Sequence, residues 1–445
     1  MSSTEKPAPV KPRIIIHGGA GNITRQNLPR QAYQTYRDAL LQILHQAQQS
    51  LVQPGAIALD VATHAVTLLE DNPLFNSGHG AVYTRAETHE LEASVMVSKG
   101  YRKRGVGVMK VTRAKNPILL AKEMLVRGEA DDGGGAGSHC QLEGHTCDRL
   151  AEEWGLEIVE PSYFWTRRRW EEHRRGLGIS YDSGTYAKHR LAADSEEQMS
   201  SSGDLIDWRD EACVGNDPSW DGKEYLPQGT VGCVVLDSSG AICVATSTGG
   251  ITNKLPGRIG DTPTLGAGFW AEKWQVQVDA AAIPSTRLTV PPLAALVIDC
   301  LPVLSSYVNI PGRDTGVNER NHRQSVHAVA MSGTGNGDSF LRLNAVRTAA
   351  AMTRFSQSNP HDPHTIGIAP LQGAVTAMAG PHGALQLSAE DRWLKSGEGE
   401  GGIIGIDLYD GRGTIVADFN CGGMFRTWID DRGKARMAVF REEIY

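Results

Sequence analysis

The chain opens its ordered pattern with Arg13-Ile14-Ile15-Ile16, a β-branched run that predicts a buried strand, closed by His17-Gly18-Gly19-Ala20-Gly21. Two helical patterns follow. Tyr33, Tyr36, Leu40, Ile43, Leu44 and Ala47 recur at three- and four-residue steps across 31–51. Ile57, Val61, Ala65 and Leu68 do the same across 56–70, after the Pro54-Gly55 breaker. A Gly-rich loop (LFNSGHGAVYT, 74–84) precedes expected strands at 91–99 and near 105–112 and an expected helix from Pro117 to about Val126.

The texture changes at 127. The segment 128–138 (GEADDGGGAGS) is low in complexity and predicts flexibility, 150–159 predicts a short helix ending near Gly155, and 167–175 (RRRWEEHRR) predicts a solvated charged helix. Residues 177–228 lack a period and predict a mobile linker, as residues 1–12 predict a disordered lead. From Thr230 apolar patterning resumes. VGCVVLD (231–237) and AICVATS (241–247) flank Ser238-Ser239-Gly240 as a hairpin. The segment 275–325 is a second excursion. HAVAMS (327–332) predicts a strand, followed by a Gly-rich turn and a helix to about 354, and IIGIDLY (403–409) with TIVADFN (414–420) predicts a closing hairpin. Strands group with strands and helices with helices, so the expected class is α+β with antiparallel sheets.

Composition narrows the function. The 445 residues carry 44 Lys+Arg and 51 Asp+Glu, a net charge of −7, which argues against nucleic-acid or membrane-surface binding by bulk charge. The Arg174 and Arg175 region is interleaved with Glu171 and Glu172 and has no RNA-binding signature. Seven cysteines, no apolar leader and no long apolar run lead to the expectation of a reducing, cytoplasmic setting without a membrane span. Length alone suggests roughly three domains of about 150 residues. Glycine, at 50 residues, exceeds the average of about 7% and clusters beside short apolar runs, where backbone comes close to something.

A nucleophile candidate stands where the linker meets the first resumed strand, at Gly229-Thr230. A threonine hydroxyl needs a base. A cut before Thr230 would supply one, because a free α-amine has a reference pKa of about 7.7–8.0. Glycine on the other side would permit a strained scissile backbone. The dipeptide alone reads more simply as the start of an ordinary strand. His139, Cys140, His145 and Cys147 offer zinc-type ligands, but His-Cys-x4-His-x-Cys fits no zinc pattern and is read as packing.

The wider context separates these readings. Thr230-Val231-Gly232 is followed by 246-TSTGGITNKLPGRIGDTPTLGAGFWA-271 and 332-SGTGNGD-338, and preceded by 17-HGGAG-21 and 75-FNSGHGAV-82. In this order, over about 13–170, 229–271 and 326–440, the chain resembles the plant-type asparaginase family, the isoaspartyl peptidase/L-asparaginase branch of the N-terminal-nucleophile hydrolases. The resemblance implies a four-layer αββα sandwich, one catalytic domain with two excursions, cut into residues 1–229 and 230–445. It implies Thr230 as nucleophile freed by autocleavage at Gly229-Thr230, and Thr248 as the threonine that orients it. Arg258 and Asp261 would grip the substrate's α-carboxylate and α-ammonium, which suits a bidentate guanidinium and a carboxylate. Thr334 and Gly335 would form the oxyanion hole, with Asn336 and Gly337 lining the pocket and Asn76 beside the nucleophile. The backbone near Phe75 (about 69–78) would hold a structural sodium ion, with no organic cofactor. The implied substrate is L-asparagine or a β-aspartyl dipeptide, and the implied assembly is a dimer of processed heterodimers.

Two departures bear on specificity. Asn336 and Asp338 stand where many relatives carry histidine and glutamate, and Glu92 replaces the aspartate of the relatives' "DAS" element. The alternatives are a glycosylasparaginase, whose representatives are typically secretory or lysosomal, and an unprocessed, non-catalytic binding protein of the same fold. A protein-cleaving threonine aspartase lacks the full GRIGD grip.

Overall fold

The computed structural model describes residues 10–179, 229–279, 322–355 and 370–442. The strands, in chain order, are β1 (Arg13–Gly21), β2 (Leu91–Val97), β3 (Gly105–Val111), β4 (Gln141–Glu143), β5 (Val231–Leu236), β6 (Ile242–Thr248), β7 (Phe269–Asp279), β8 (His322–Gly335), β9 (Gly401–Tyr409), β10 (Arg412–Phe419), β11 (Gly423–Ile429) and β12 (Ala435–Ala438). Among the described residues they form an eight-stranded sheet, ordered β12-β11-β1-β5-β6-β2-β3-β4, and a four-stranded sheet, ordered β10-β9-β8-β7. Pairing is antiparallel except for β3 with β4. The class is α+β.

The alternation of Ile14, Ile15 and Ile16 shows how the sheets are covered. Ile14 and Ile16 join Leu40, Leu44, Leu59, Val66 and Leu120 in one apolar cluster, under the helices Arg30–Leu51, Ala58–Glu70 and Pro117–Val126. Ile15 points the other way, to Val234, Val244, Phe269, Ala330 and Ile404, between the two sheets. A strand buried on both faces must be apolar at consecutive positions, as this one is. On the far side of the smaller sheet, Val329, Met331 and Ile403 pack against Val346, Ala349, Val375 and Met378 of the helices Ala345–Phe355 and Pro370–Ala379.

β1 is hydrogen-bonded to β11 on one side and β5 on the other, so segments before and after Gly229 share one sheet. β5 runs directly on from Thr230, with Val231 opposite Ser247 of β6.

Several sequence expectations are corrected. The segment 167–175 is not a solvated helix. In Arg167–Gly176, Arg169, Trp170, Glu172 and His173 are buried. Arg169 Nε donates to Gly80 O at 2.7 Å and its Nη1 to Glu172 Oε2 at 2.9 Å, so paired charges face inward. The low-complexity 128–138 segment folds into successive turns, with Gly133 N bonded to Ala130 O and Gly137 N to Asp132 O. The helix expected at 150–159 is Gly144–Glu153, and the one expected to run to 354 is broken by Asn344 in the left-handed region (φ 45°). The ends of the 275–325 excursion extend β7 and β8, pairing as far as Asp279 with His322. Residues 280–321, the linker residues 180–228 and the lead residues 1–9 lie outside the described residues. Among the described residues no helix is long and apolar enough to cross a membrane.

The Arg169 contact supports a prediction. Removing one member of a buried ion pair that also ties down a loop carbonyl costs about 3 kcal/mol. Arg169→Ala should lower the urea midpoint accordingly with an unchanged slope, and an unchanged midpoint would show that the pair is not a structural tie.

Candidate active site

Gly229 and Thr230 sit at the start of β5 with Thr230 only 6% exposed. A methyl group at Gly229 would lie 2.5 Å from Ala20 N, from Gly19 Cα and from Thr334 Oγ1. The requirement for glycine is therefore one of close approach. The backbone at Gly229 is not left-handed; the positive φ, +118°, belongs to Gly19 on the other side of the contact. HGGAG is thus the wall against which the Gly229-Thr230 peptide is packed.

Two hydroxyl contacts fix Thr230. Thr334 Oγ1 donates to Thr230 O at 3.0 Å and accepts from Ala20 N at 3.2 Å. Thr230 Oγ1 lies 2.8 Å from Thr262 Oγ1. His17 comes near the same backbone, its Nε2 2.6 Å from Ser332 Oγ in a space that a side chain on Gly232 would fill. Burial pushes the His17 imidazole down to about 3, against hydrogen bonding with the Thr230 backbone, so the ring is neutral at physiological pH.

Thr248, at the end of β6, does not bond the Thr230 hydroxyl in this geometry. Its Oγ1 accepts from Gly250 N at 3.0 Å and from Asn76 Nδ2 at 3.5 Å. Asn76 Nδ2 also donates to Gly250 O at 2.8 Å, while its Oδ1 accepts from Val82 N at 3.1 Å. Asn76 and Thr248 therefore brace the 248–250 turn together. The hydroxyl partner of Thr230 is Thr262, which sequence reasoning missed. Its one signal was its place directly after Asp261 in the GRIGDT run.

Thr262 leads into a charged pocket. Asp261 is 4% exposed, and among the described residues its Oδ2 has no hydrogen-bond partner, as is true of Arg258 Nε and Glu92 Oε2. Arg258 Nη2 donates to Asp338 Oδ2 at 3.1 Å, and Gly260 N to Glu92 Oε1 at 2.9 Å. A methyl group at Gly337 would lie 2.4 Å from Asp261 Oδ1 and 2.9 Å from Arg258 Nη2, so that glycine keeps the pocket open. Burial pushes the Asp261 carboxyl up to about 7, with Arg258 opposing and Glu92 adding to the rise. Burial also raises the Glu92 carboxyl, against Lys254. A buried carboxylate and a half-buried guanidinium, each with an unused hydrogen-bonding atom, match a ligand bearing both an ammonium and a carboxylate.

Gly335 has φ +139°, and a side chain there would strike Glu400 O and Gly401 Cα at 2.4 Å. Asn336 caps the helix Gly337–Leu343, its Oδ1 accepting from Ser339 N at 3.1 Å. That bond gives Asn336 a structural use beside its place at the pocket.

The loop near Phe75 brings backbone carbonyls close together, with Phe75 O accepting from Ser77 N at 2.9 Å. A methyl group at Gly80 would fall 2.2 Å from Phe75 O and 2.6 Å from Pro73 O, so this position needs glycine; backbone carbonyls are also the donor type that a hard cation such as sodium takes. Among the described residues no group of three or more His, Cys, Asp or Glu could hold a metal ion. His145 is exposed while Cys147 is buried, and burial pushes the Cys147 thiol up to about 12, in keeping with packing.

Comparison with known proteins identifies the family. A family model described as Asparaginase matches residues 10–283. A putative isoaspartyl peptidase/L-asparaginase of Dictyostelium discoideum is 28% identical over 421 residues, covering 94% of this chain and 92% of its own. The isoaspartyl peptidase of Escherichia coli K12 is 37% identical over 265 residues, 60% of this chain and 69% of its own. A plant-type L-asparaginase of Pyrococcus furiosus is 29% identical over 262 residues, 58% and 70% of the two chains. With the family match spanning more than half of its length, and with similar proteins named isoaspartyl peptidase and plant-type L-asparaginase, the chain belongs to the asparaginase family.

Proposed function

We propose that this protein is an autoprocessed threonine hydrolase that cleaves the side-chain amide of L-asparagine, or of β-aspartyl dipeptides, and releases L-aspartate. The observation that carries the reading is the packing of Gly229-Thr230 against Gly19-Ala20 and Thr334, one peptide away from the Arg258–Asp261 pocket through Thr262. The names of the related proteins point to the same reaction. Three apolar clusters, outside the larger sheet, between the sheets and outside the smaller one, support the four-layer αββα sandwich of the N-terminal-nucleophile type.

In this reading the Thr230 hydroxyl attacks the Gly229 carbonyl, the peptide C–N bond breaks, and an ester forms. Water hydrolyses the ester, leaving chains 1–229 and 230–445 and a free α-amine on Thr230. Because β1 lies between β11 and β5, the pieces stay paired in one sheet. Substrate then enters with its α-carboxylate on Arg258 and its α-ammonium on Asp261. The amine takes the Thr230 hydroxyl proton as Oγ1 attacks the side-chain carbonyl, and returns it to the departing amine. The Thr334 hydroxyl and Gly335 N–H stabilise the oxyanion. Water then releases aspartate from the second ester. Thr248 and Asn76 hold the 248–250 turn, and Gly337 and Asn336 bound the pocket. Carbonyls near Phe75 would hold a structural sodium ion, which steadies the loop that carries Asn76. Two processed units would pair in the assembly.

Purified protein should resolve into two bands on a denaturing gel and release ammonia and aspartate from asparagine or a β-aspartyl dipeptide, with glycosylated asparagine as the third member of the panel. Thr230→Ala should stay as one band near 48.0 kDa and release none. Normal turnover by that variant would remove Thr230 as nucleophile.

The Asp261 carboxyl supplies a second test. Its folded value, about 7, lies above its unfolded one. Its burial therefore costs stability progressively as pH rises from the usual carboxylate range through 7, and the full cost persists above. Asp261→Asn should raise the melting temperature at about pH 8, change it little at about pH 4, and weaken kcat/KM at least about tenfold. Equal effects on melting at both pH values would show that the carboxyl is not desolvated.

A further inference from the structure

Thr262 is not among the groups that the reaction above uses, yet among the described residues it makes the one side-chain hydrogen bond to the nucleophile's hydroxyl, at 2.8 Å, and is 1% exposed. The segment that carries it is held at several points. Gly260 N donates to Glu92 Oε1, and Ser94 Oγ donates to Thr262 O at 2.6 Å, so two residues of β2 pin the 260–262 turn. Thr246 Oγ1 of β6 donates to the same carbonyl at 3.4 Å. Just beyond, Gln141 Nε2 donates to Pro263 O at 2.8 Å, and Thr264 N bonds Asp261 O at 3.0 Å. A side chain fixed in this way loses little freedom when it holds another group, which is what makes a hydrogen bond effective for orientation.

We propose that Thr262 is a positioning residue for the nucleophile, and that its hydroxyl sets the Thr230 side chain for attack both on the Gly229 carbonyl and on the substrate. The assignment rests on the reading of Thr230 as the nucleophile. It extends that reading in one respect. Asp261 takes the substrate's ammonium and Thr262 takes the Thr230 hydroxyl, so adjacent residues of one rigid turn fix the distance between the anchored end of the substrate and the attacking oxygen. Thr262 exchanges no proton with substrate; it selects the rotamer from which Oγ1 reaches a carbonyl carbon. A group that acts this way affects the chemical step, and leaves binding through Arg258 and Asp261 nearly unchanged.

Thr262→Val keeps the shape and removes the hydroxyl, whereas Thr262→Ser keeps the hydroxyl and removes a methyl group. Both would be purified as full chains and followed by denaturing gel for self-cleavage and by ammonia release for turnover. The expected result is self-cleavage slowed about tenfold or more in Thr262→Val, and kcat lowered similarly in whatever fraction is processed, with KM within about twofold. Thr262→Ser should restore both rates to within about threefold of the unaltered protein. Unaltered rates in Thr262→Val overturn the assignment, as does a Thr262→Ser variant impaired to the same degree, which would make the effect one of packing. If Thr262→Val fails to fold by circular dichroism, Thr262→Ser decides: near-normal rates with normal KM uphold the hydroxyl's role, and lost rates refute it. The underlying reading fails separately, and visibly, if the unaltered protein neither cuts itself nor releases ammonia.

Discussion

The site depends on one steric constraint: the backbone at Gly229 and the backbone at Gly19-Ala20 occupy the same narrow gap, with the Thr334 hydroxyl closing it. No Cβ fits at Gly229. That contact brings the strand before the excursion and the strand after it to one place, and it holds the Thr230 carbonyl against Thr334 and the Thr230 hydroxyl against Thr262. β1 makes this possible because it is paired on both edges, and an inner strand has no freedom to shift register without turning Ile14, Ile15 and Ile16 to the wrong faces.

Around this contact the protein buries charge that it does not fully satisfy. Asp261, Arg258 and Glu92 each keep a polar atom unbonded, in a pocket shaped by Gly260 and Gly337. Such an arrangement costs stability, which a ligand of the opposite charge pattern would offset. The contrast with Arg169 and Glu172 is instructive. Those buried charges satisfy each other and the Gly80 carbonyl, and serve docking of a helix. Unbonded atoms on buried charge also occur outside the pocket, at Glu70 Oε2 and Glu272 Oε1, so what separates the pocket is the convergence of Asp261 and Arg258 on the space beside Gly337.

Much of this was legible in the chain. The consecutive isoleucines announced a strand covered on both faces, and the ordered runs HGGAG, TSTGG, GRIGD and SGTGNGD placed the nucleophile candidate and the charged pair. The physical reason is that both signals are local: burial fixes residue type position by position, and close backbone approach fixes glycine. What the sequence could not carry was partnership. Thr262 meets Thr230 across 32 residues through the sheet order, which periodicity does not encode. The helix 167–176 was misjudged because its charges are paired inward, and composition counts charges without their partners. The helix Pro370–Ala379 was missed because its small residues, Gly373, Ala374, Ala377 and Ala379, give little contrast between faces. Thr248 was assigned by resemblance to the nucleophile, and its closest bonds are to the turn that follows it.

The central claim is that the chain breaks itself at one peptide bond to make its own catalytic base. Intact-mass measurement with N-terminal sequencing of the freshly purified and the incubated protein tests this directly. The account predicts two chains that sum to the whole, the second beginning Thr230-Val231-Gly232. A chain that stays whole while it hydrolyses asparagine, or one that is cut at a different bond, would contradict it.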